Sequence, residues 1–507
     1  MNLKFLLDRL DYTCVQGNLE QEIKSLSYDS RTVVSGSVFV CISGNVYDGH
    51  SYIEEVVSKG ATVVIVEKDV VAPADVTVIK VSDTRIALAF TSAAYFGHPA
   101  ESLKTIGITG TKGKTTTTYM VRSILENAGI KTGLIGTIEI ITPNEVIPAS
   151  HTTPESYQLQ EYLRKMVDAG CECVVMEVSS QGLMLNRVAG FTFDYGIFTN
   201  IEPDHIGPGE HKDFEDYMKC KGLLFKNCKV GILNADDSHV TQVLEGHTCK
   251  VETFGLSEGA NLRAVDVDLH NSLGELGVKY RVESHNDADD ENVNFEVMNQ
   301  NYEVLIPIPG AFTVYNSLTA IAICNHFNVP KDMIKKALLQ VKVKGRVEPI
   351  NVSENFSLMI DYAHNAMSLK SLLSTLREYN PTRLVCLFGC GGNRAKQRRF
   401  EMGEISSTLA DLTVVTSDNP RNEEPSDILN DIITGVKKAD GEYISIIDRK
   451  EAIKYCIKNA RVGDLIVLAG KGHEDYQEIK GVKYKMDERD LINEVLVELK
   501  EEGFKVI

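Results

Sequence analysis

The chain has 507 residues, too many for one hydrophobic core, so several domains are expected. Hydrophobic residues make up 43% and charged residues 24%, values typical of globular proteins that fold without disulfides. The net charge of −18 argues against a nucleic-acid partner but not against small anionic substrates, which need only a local cluster of cations.

The cysteines and the N-terminus indicate a cytoplasmic protein. The 11 cysteines are scattered, and the nearest pair, Cys171 and Cys173, alternates along an apparent strand, which favours buried thiols over a metal site. The opening "MNLKFLLDRLDYTC" carries acidic residues where a signal peptide is apolar. No apolar run approaches the roughly 20 residues of a membrane helix, so no membrane attachment is expected.

Residues 1–99 have an α/β pattern. Short apolar runs ("SVFVCI", "ATVVIVE", "VTVIKV") alternate with helix-like stretches such as "IALAFTSAAYF". The stretch "GHPAES" then predicts a Gly-Pro linker, which ends a first domain.

The pattern restarts at residue 100 with "LKTIGITG", a strand that leads into a glycine-rich loop and the helix "TTTTYMVRSILENAG". The runs "ECVVMEVSS" and "DYGIFTNI" are continuously apolar, which is typical of a parallel sheet buried on both faces. Residues 258–308 indicate antiparallel strands joined by the acidic turn "NDADDEN". We place the end of this second domain at residue 343.

Residues 344–507 form a third α/β segment. Its strands "SLMIDYAH", "RLVCLFGCGG", "LTVVTSDNP" and "DLIVLAGKG" each end in a polar, mostly glycine-rich turn. Ligands of open parallel sheets bind at such carboxyl ends, so a second binding region is expected here.

The loop "GITGTKGKT" predicts a phosphate site. Gly110 and Gly113 allow backbone N–H groups to curl around phosphate oxygens at a helix N-terminus. Lys114 would reach the β- and γ-phosphates, and the Thr115 hydroxyl would bind Mg²⁺. The spacing is shorter than a full Walker A motif, and the alternative is a glycine turn that only caps the helix.

Glu177 closes the apolar strand "CVVMEVSS", where it would face the phosphate loop. A carboxylate in that position is costly unless it meets a cation, which favours a Mg²⁺ ligand over a capping or surface role.

The stretch "TNIEPDHIGPGEHKDFEDYMKCK" adds a polar cluster after the next strand. Asn200, Asp204 and His205 follow the strand, and a helix that begins near Asp213 carries Lys219 and Lys221. Residues two apart do not share a helix face, so at most one lysine points into the site. A solvated lysine and a helix-capping aspartate remain the alternative.

Nine motifs in order give the chain a resemblance to a known family. They are "GITGTKGKTT", "HTTPES", "EVSSQGL", "TNIEPDH", "GRVE", "DYAHN", "GCGGNR", "DNPR" and "GKGHEDYQ". The set resembles the Mur ligases, ATP-dependent enzymes that add amino acids to UDP-N-acetylmuramic acid, and looks most like the third adder. The resemblance implies an α/β protein of three domains: an N-terminal UDP-binding domain (1–99), a central P-loop ATPase domain with a parallel and a small antiparallel sheet (100–343), and a C-terminal Rossmann-like amino-acid domain (344–507).

The resemblance also implies site residues. Expected at the UDP-sugar and peptide are Ser30, Arg31, Asp48, Gly49, His50, Thr152, Thr153, Ser179 and Arg187. Expected at ATP are Gly110, Thr111, Lys112, Gly113, Lys114, Thr115, Thr116 and Asn316, with Arg346, Asp361 and His364 approaching from the third domain as it closes. Expected at the added amino acid are Arg394, Asp418, Asn419, Arg421, Gly470 and Glu474.

The implied reaction passes the ATP γ-phosphoryl group to the D-glutamate γ-carboxylate, and an amine then attacks the acyl phosphate. Catalysis would depend on Mg²⁺ and Lys114, with Thr115, Glu177, His205 and Lys221 at the metal. The resemblance aligns Lys221, not Lys219, with a lysine that CO₂ converts to a carbamate, an anion able to bind a second Mg²⁺. His205 could instead orient the acyl phosphate. The substrates are small molecules, and a monomer is expected.

The motif "DNPR" favours meso-diaminopimelate as the added amino acid. This compound differs from lysine by a second carboxylate, which the Arg421 guanidinium can grip bidentately and lysine lacks. The alternative is a surface ion pair of Arg421 with Glu423 or Glu424.

Other features keep L-lysine open as the added amino acid. The chain departs from the common family pattern at Asn393, Phe400 and Ala366, and its loop "DHIGPGEHKDF" resembles a branch that includes lysine-adding enzymes. Two further alternatives are a folylpolyglutamate synthetase-like ligase, which should lack the UDP domain and "DNPR", and a non-catalytic homologue, which should have lost Lys114, Thr115, Glu177 or His205.

Overall fold

The computed structural model describes residues 1–44, 47–207, 210–272, 275–284 and 301–506. These divide into two compact units. One contains Met1–Arg263 and Leu318–Ile334, and the other contains Ala264–Glu283, residues 301–317 and residues 335–506. The domain boundaries at 99/100 and 343/344 stay predictions.

The N-terminal segment contains one five-stranded sheet in the order β1-β5-β4-β3-β2, parallel except for the β1–β5 pair. The three apolar runs form strands β3, β4 and β5, as predicted, and the predicted linker contains a short 3₁₀ helix. The elements are α1 Leu3–Leu6, β1 Thr13–Gln16, β2 Ser25–Ser27, β3 Ser37–Val40, 3₁₀ Gly49–Tyr52, α2 Ile53–Ser58, β4 Ala61–Val66, β5 Thr77–Lys80, α3 Thr84–Tyr95 and 3₁₀ Pro99–Ser102.

The middle of the chain, up to residue 340, follows with eleven strands and seven helices among the described residues. Its strands are β6 Lys104–Thr109, β7 Thr132–Ile135, β8 Glu139–Ile141, β9 Val146–Pro148, β10 Cys173–Glu177, β11 Phe193–Phe198, β12 Cys228–Asn234, β13 Lys250–Gly255, β14 Leu262–Ser272, β15 Glu275–Ser284 and β16 Asn301–Ile306. Its helices are α4 Lys114–Asn127, α5 Ser156–Asp168, α6 Ser180–Met184, α7 Phe214–Gly222, α8 Val240–Val243, α9 Ala311–Asn325 and α10 Lys331–Gln340, with 3₁₀ Leu223–Lys226.

In the first unit, strands β13-β12-β11-β6-β10-β7 form a parallel sheet, and β8 and β9 extend it antiparallel. Val174, Val175 and Met176 of β10 are fully buried, which confirms the prediction from its continuous apolar run. In the second unit, β15 and β16 pair antiparallel with Val278 opposite Ile306, as predicted. The acidic turn "NDADDEN" lies outside the described residues.

The last segment contains a six-stranded sheet in the order β17-β18-β22-β19-β20-β21, parallel except for β17–β18. The four predicted strands are β18, β19, β20 and β22, so the turns that follow them gather at one edge. The elements are β17 Glu348–Ile350, β18 Ser357–Asp361, α11 Ala366–Arg377, β19 Arg383–Phe388, α12 Gln397–Leu409, β20 Leu412–Val415, α13 Pro425–Lys438, β21 Tyr443–Ser445, α14 Arg449–Lys458, β22 Asp464–Ala469, β23 Tyr476–Ile479, β24 Val482–Lys485 and α15 Glu488–Glu501.

The cysteines agree with the prediction of buried thiols. All 11 cysteines are free, and all except Cys14 are buried, as expected of reduced core thiols. Among the described residues, no helix combines the length and the apolar character that a bilayer crossing requires.

The core of the last segment offers a test of its packing. Leu468 is fully buried in β22, whereas Val462, six residues earlier, is exposed. Leu468→Ala should lower the free energy of unfolding by about 2–5 kcal/mol, because it removes buried methyl groups and leaves a cavity. Val462→Ala should change it by less than about 0.5 kcal/mol. Urea unfolding followed by far-UV circular dichroism measures both, and equal midpoints for the two variants would contradict the assigned core.

Candidate active site

The glycine-rich loop connects β6 to the 14-residue helix α4. Gly110 has φ +148° and Gly113, which caps the helix, has φ +86°. A Cβ on Gly110 would lie 2.0 Å from Thr199 Oγ1, so both the backbone conformation and the space require glycine there. The loop therefore brings backbone N–H groups to a helix N-terminus, an arrangement that favours a bound anion.

Two lysines meet at the carbonyl oxygen of Gly110. Lys114 Nζ and Lys221 Nζ each donate to this oxygen at 2.8 Å. The Lys221 side chain is 1% exposed, and its Nζ lies 4.4 Å from the centre of the Tyr217 ring. Burial, aided by the charge of Lys114, holds the pKa of Lys221 well below its ordinary value, which favours the neutral, nucleophilic amine.

The two lysines of α7 have opposite environments. Lys219 is 60% exposed and pairs with Glu215 at 2.6 Å. Asp213 caps the helix by accepting from Asp216 N, as expected of a helix that begins near this residue. The structure thus places only Lys221 at the phosphate loop, in agreement with the prediction that at most one lysine points inward.

Glu177 ends β10 and is buried beside the loop. Its carboxylate oxygens accept from Thr115 Oγ1 at 3.0 and 3.1 Å, from Thr137 N at 2.9 Å and from Thr137 Oγ1 at 3.0 Å. A carboxylate and a hydroxyl side by side are hard oxygen ligands of the kind that Mg²⁺ prefers. These residues therefore fit the predicted metal.

Hydrogen bonds join the residues expected at the peptide to Glu177. Thr137 Oγ1 lies 3.0 Å from Thr152 Oγ1, and Thr153 Oγ1 donates to the Glu177 carbonyl at 3.0 Å. Ser179 N donates to Thr153 Oγ1 at 2.9 Å. Arg187 Nη1 donates to the Thr153 carbonyl at 2.9 Å. The structure brings Thr152, Thr153, Ser179 and Arg187 together beside the predicted metal ligand.

Of the residues in the loop after β11, Asn200 contacts the phosphate loop, whereas His205 is exposed. Asn200 Oδ1 accepts from Lys112 N at 2.9 Å, which ties this residue to the phosphate loop. His205 has φ +54°, is 53% exposed, and its Nδ1 lies 3.3 Å from Glu210 Oε1. Its ring centre lies 6.1 Å from that of Tyr217. His205 thus lies at the rim of this cluster rather than among its buried groups.

His211 is a residue that the sequence did not single out. It is fully buried, with Nδ1 3.1 Å from Asp216 Oδ2 and Nε2 2.8 Å from Ser180 Oγ. Its backbone N donates to the His205 carbonyl at 3.0 Å. These contacts attach the loop that carries His205 to helices α6 and α7. The only signal in the sequence was the position of His211 in the longer loop "DHIGPGEHKDF".

The residues expected at the UDP group include a hydrogen-bonded histidine. His50 Nδ1 lies 2.6 Å from Asp48 Oδ1, and Glu67 N donates to His50 Nε2 at 3.2 Å, so the ring proton belongs on Nδ1. Lys68 Nζ donates to Asp48 at 2.7 Å. The Lys68 and His50 contacts hold the pKa of Asp48 well below its usual range.

The remaining residues expected there lie nearby in sequence. Arg31 is exposed and pairs with Asp29 at 2.6 Å, and the Ser30 carbonyl accepts from Lys59 Nζ at 2.9 Å. A Cβ on Gly49 would lie 2.7 Å from Ile42 N, so this position has no room for a side chain.

In the second unit, two of the residues expected at the nucleotide, Arg346 and His364, lie beside the Tyr362 ring. The Arg346 guanidinium lies 4.9 Å from the Tyr362 ring centre, and the His364 and His473 rings each lie 4.6 Å from it. Burial lowers the pKa of His473 to about 4 and also lowers that of His364, so both imidazoles are neutral at pH 7.

Two other residues expected at the nucleotide are buried in this unit. Asp361 accepts from Val347 N and Ala363 N at 2.8 Å each, and burial raises its pKa. Asn316 is buried in α9.

The residues expected at the added amino acid gather after β20 and β22. Arg421 donates through Nε to Glu478 Oε2 at 3.0 Å and through Nη1 to the Gly392 carbonyl at 2.7 Å. Asn419 Nδ2 donates to Glu474 Oε2 at 2.9 Å. Gly470 has φ +104° and adjoins Asp418, whose Oδ2 would lie 3.2 Å from a Cβ on the glycine.

Glu423, an acidic neighbour of Arg421, pairs with a different arginine. Arg399 pairs with Glu423 at 2.8 Å. Arg394 is exposed. Lys471, fully buried at the centre of this group, was missed by sequence reasoning.

Three family models match the chain. They are described as Mur ligase family, catalytic domain, over residues 22–96, Mur ligase middle domain over residues 108–324, and Mur ligase, glutamate ligase domain, over residues 345–472.

Curated relatives match the chain from end to end. The UDP-N-acetylmuramoyl-L-alanyl-D-glutamate–2,6-diaminopimelate ligase of Clostridium perfringens is 42% identical over 98% of this chain and 99% of its own length. The ligase of the same name from Bacillus licheniformis is 39% identical over 96% of each chain.

Solved structures share the fold. A UDP-N-acetylmuramoyl-L-alanyl-D-glutamate–2,6-diaminopimelate ligase superimposes with a TM-score of 0.72, at 25% identity and over 99% of both chains. The MurF ligase of Thermotoga maritima gives a TM-score of 0.58, at 18% identity, over 95% of this chain and 98% of its own. The three-domain α/β architecture expected from the sequence is confirmed.

The phosphate loop can be tested with two glycine variants. Gly110→Ala should reduce the affinity for a fluorescent ATP analogue by at least about tenfold, because its Cβ would collide with Thr199 and distort the anion cradle. Gly129→Ala is the matched control, since Gly129 also has positive φ, at +83°, but a Cβ there meets nothing within 4 Å. Fluorescence titration of folded protein measures both, and wild-type affinity in Gly110→Ala would contradict the assignment of the loop.

Proposed function

The chain belongs to the Mur ligase family, and on this basis we propose that it joins meso-2,6-diaminopimelate to the D-glutamate of UDP-N-acetylmuramoyl-L-alanyl-D-glutamate with hydrolysis of ATP to ADP. The observation that carries the proposal is the gathering of Lys114, Thr115, Glu177 and Lys221 around one glycine loop, in a chain that matches ligases of this name from end to end. The match at residues 22–96 also disfavours a folylpolyglutamate synthetase-like enzyme, which should lack this domain.

ATP is the proposed phosphoryl donor, with Mg²⁺ as cofactor. Gly110, Thr111, Lys112, Gly113, Lys114, Thr115 and Thr116 supply the phosphate cradle. Thr115 and Glu177 would hold one Mg²⁺, and the carbamate of Lys221, with His205 at the rim, would hold a second. When bound, Mg²⁺ neutralises phosphate oxygens, so that the substrate carboxylate can approach them.

The protein's own residues must position two anions against each other. Lys114 binds the γ-phosphate, and Thr152, Thr153, Ser179 and Arg187 hold the muramoyl peptide next to Glu177. The D-glutamate γ-carboxylate takes the phosphoryl group to form an acyl phosphate. The incoming amine then displaces phosphate, and His205 is proposed to orient the acyl phosphate.

The other expected contacts remain part of the proposal. Ser30, Arg31, Asp48, Gly49 and His50 are assigned to the UDP group. Asn316, Arg346, Asp361 and His364 are assigned to the nucleotide, and Arg394, Asp418, Asn419, Arg421, Gly470 and Glu474 to the added amino acid.

Diaminopimelate is preferred over L-lysine as the added amino acid. The relatives described above carry diaminopimelate in their names. Glu478 and the Gly392 carbonyl fix the Arg421 guanidinium, so its remaining N–H groups can grip a second carboxylate. L-Lysine has no such carboxylate.

ADP release tests the proposed reaction. With ATP, Mg²⁺ and UDP-N-acetylmuramoyl-L-alanyl-D-glutamate, meso-diaminopimelate should give turnover, and L-lysine should give a kcat/KM at least about 100-fold lower, because it leaves Arg421 donors without a partner. Omitting the UDP substrate is the control for uncoupled ATP hydrolysis. Faster turnover with L-lysine would reverse the choice of amino acid, and no turnover with either amine would refute the ligase proposal.

Lys221 tests the proposed carbamate. Lys221→Ala should lower kcat by at least about 100-fold, because the anion needed at the metal is lost. Short carboxylic acids such as acetate should restore part of the activity, because their carboxylate can occupy the vacated space. Lys219→Ala, in the same helix but exposed, should keep wild-type kcat. Full activity of Lys221→Ala, or its failure to respond to any short acid, would leave Lys221 an ordinary lysine.

A further inference from the structure

Lys471 lies inside the predicted amino-acid pocket but was not among its expected residues. Its side chain is 0% exposed. Its ammonium donates to Asn419 Oδ1 at 3.0 Å, to Glu474 Oε2 at 2.9 Å and to the Tyr476 carbonyl. The three N–H bonds of the ammonium thus meet three acceptors, which is the condition under which a buried charge is tolerated.

These contacts fix the orientation of Asn419. Its Oδ1 accepts from both Lys471 Nζ and Glu478 N, at 3.0 and 2.9 Å. An amide oxygen that faces two donors cannot exchange places with the amide nitrogen, so Nδ2 must point to Glu474 Oε2, 2.9 Å away. Lys471 and the backbone N of Glu478 together therefore determine that the amide nitrogen of Asn419 faces Glu474.

The same contacts fix Glu474. Lys471 Nζ and Asn419 Nδ2 both bind Oε2, and these contacts leave Oε1 unused. The Glu474 side chain is 19% exposed, so it is held from the protein side while a ligand can still reach it. A carboxylate anchored through one oxygen presents the other in a defined direction to an incoming ammonium group.

Glu478, which also binds Asn419, holds Arg421 in place. Arg421 N donates to the Glu478 carbonyl at 3.0 Å, and its Nε donates to Glu478 Oε2 at 3.0 Å. Because Glu478 N also binds Asn419 Oδ1, one connected network runs from Lys471 through Asn419 to the backbone that holds Arg421. The groups that would bind a distal ammonium and a distal carboxylate are thereby set relative to each other.

We propose that Lys471 is a positioning residue for amino-acid selection: by anchoring Glu474 Oε2 and Asn419 Oδ1, it aims Glu474 Oε1 at the distal ammonium group of the added amino acid. This inference rests on the proposed function. Lys471 acts through Glu474 and does not contact the reacting atoms, so its loss should weaken binding of the amino acid and affect the chemical step less.

Lys471→Met removes the ammonium and keeps a side chain of similar length. At saturating ATP and UDP substrate, its KM for meso-diaminopimelate should rise at least about tenfold, whereas kcat and the KM for ATP should stay within about threefold of wild type. Lys483→Met is the matched control, because Lys483 is exposed and also contacts the Tyr476 ring, at 4.0 Å. It should keep all wild-type constants.

A double variant separates positioning from general support of the fold. If Lys471 acts through Glu474, then Lys471→Met should raise the KM for diaminopimelate little further once Glu474→Gln is present. If the double variant instead raises the KM for diaminopimelate by the product of the two single-variant factors, the inference is overturned. An unchanged KM in Lys471→Met alone would also overturn it. Absence of turnover in the wild type would instead refute the proposed function, on which this inference rests.

The fold of the variants is checked by circular dichroism. If Lys471→Met does not fold, Lys471→Arg provides the test, because the guanidinium keeps the charge but cannot donate to three acceptors from one nitrogen. It should show the same selective rise in KM, and a wild-type KM in folded Lys471→Arg would overturn the inference.

Discussion

The carbonyl oxygen of Gly110 is the point on which the phosphate loop depends. This one oxygen accepts from two lysine side chains, each at 2.8 Å. Burial, aided by the charge of Lys114, lowers the pKa of Lys221 and favours its neutral amine, because a second ammonium group at this oxygen would be repelled. An arriving anion, or conversion of the Lys221 amine to an anion, would be stabilised by the charge of Lys114. The lysines at this loop therefore favour negative charge where the triphosphate is expected.

Glu177 is the acidic counterpart of these two lysines beside the same loop. It is a buried carboxylate held by the hydroxyls of Thr115 and Thr137 and by one backbone N–H group. Hydroxyls satisfy a carboxylate less completely than a cation does, which supports the proposed Mg²⁺ at this position. The Glu177 backbone carbonyl also accepts from Thr153, so the strand end that carries the proposed metal ligand also holds one of the residues assigned to the peptide.

The sequence predicted the features that depend on local pattern. The strand end at Glu177 follows from the strand pattern, and the helix period predicts that at most one of Lys219 and Lys221 points inward; the structure agrees with both. The choice of Lys221 came only from the resemblance to the Mur ligases. His211 and Lys471 escaped, because each also binds a partner far away in the chain: Ser180, at 31 residues from His211, and Asn419, at 52 residues from Lys471. No local period reports such contacts. The exposure of His205 was also beyond the sequence, since it depends on how the longer loop folds back.

If the residues after β20 and β22 bind the added amino acid, as proposed, selection requires more than Arg421. Arg421 is 23% exposed, so a ligand without a distal carboxylate would leave its free donors partly to water, and the cost would fall below that of a fully buried site. Discrimination therefore needs a second, more rigid contact. In our proposal the anchored Glu474 supplies it, because an ammonium group bound to Oε1 would fix where the neighbouring carboxylate must lie. Selection would then depend on the distance and angle between two preset groups, which a single ion pair does not define.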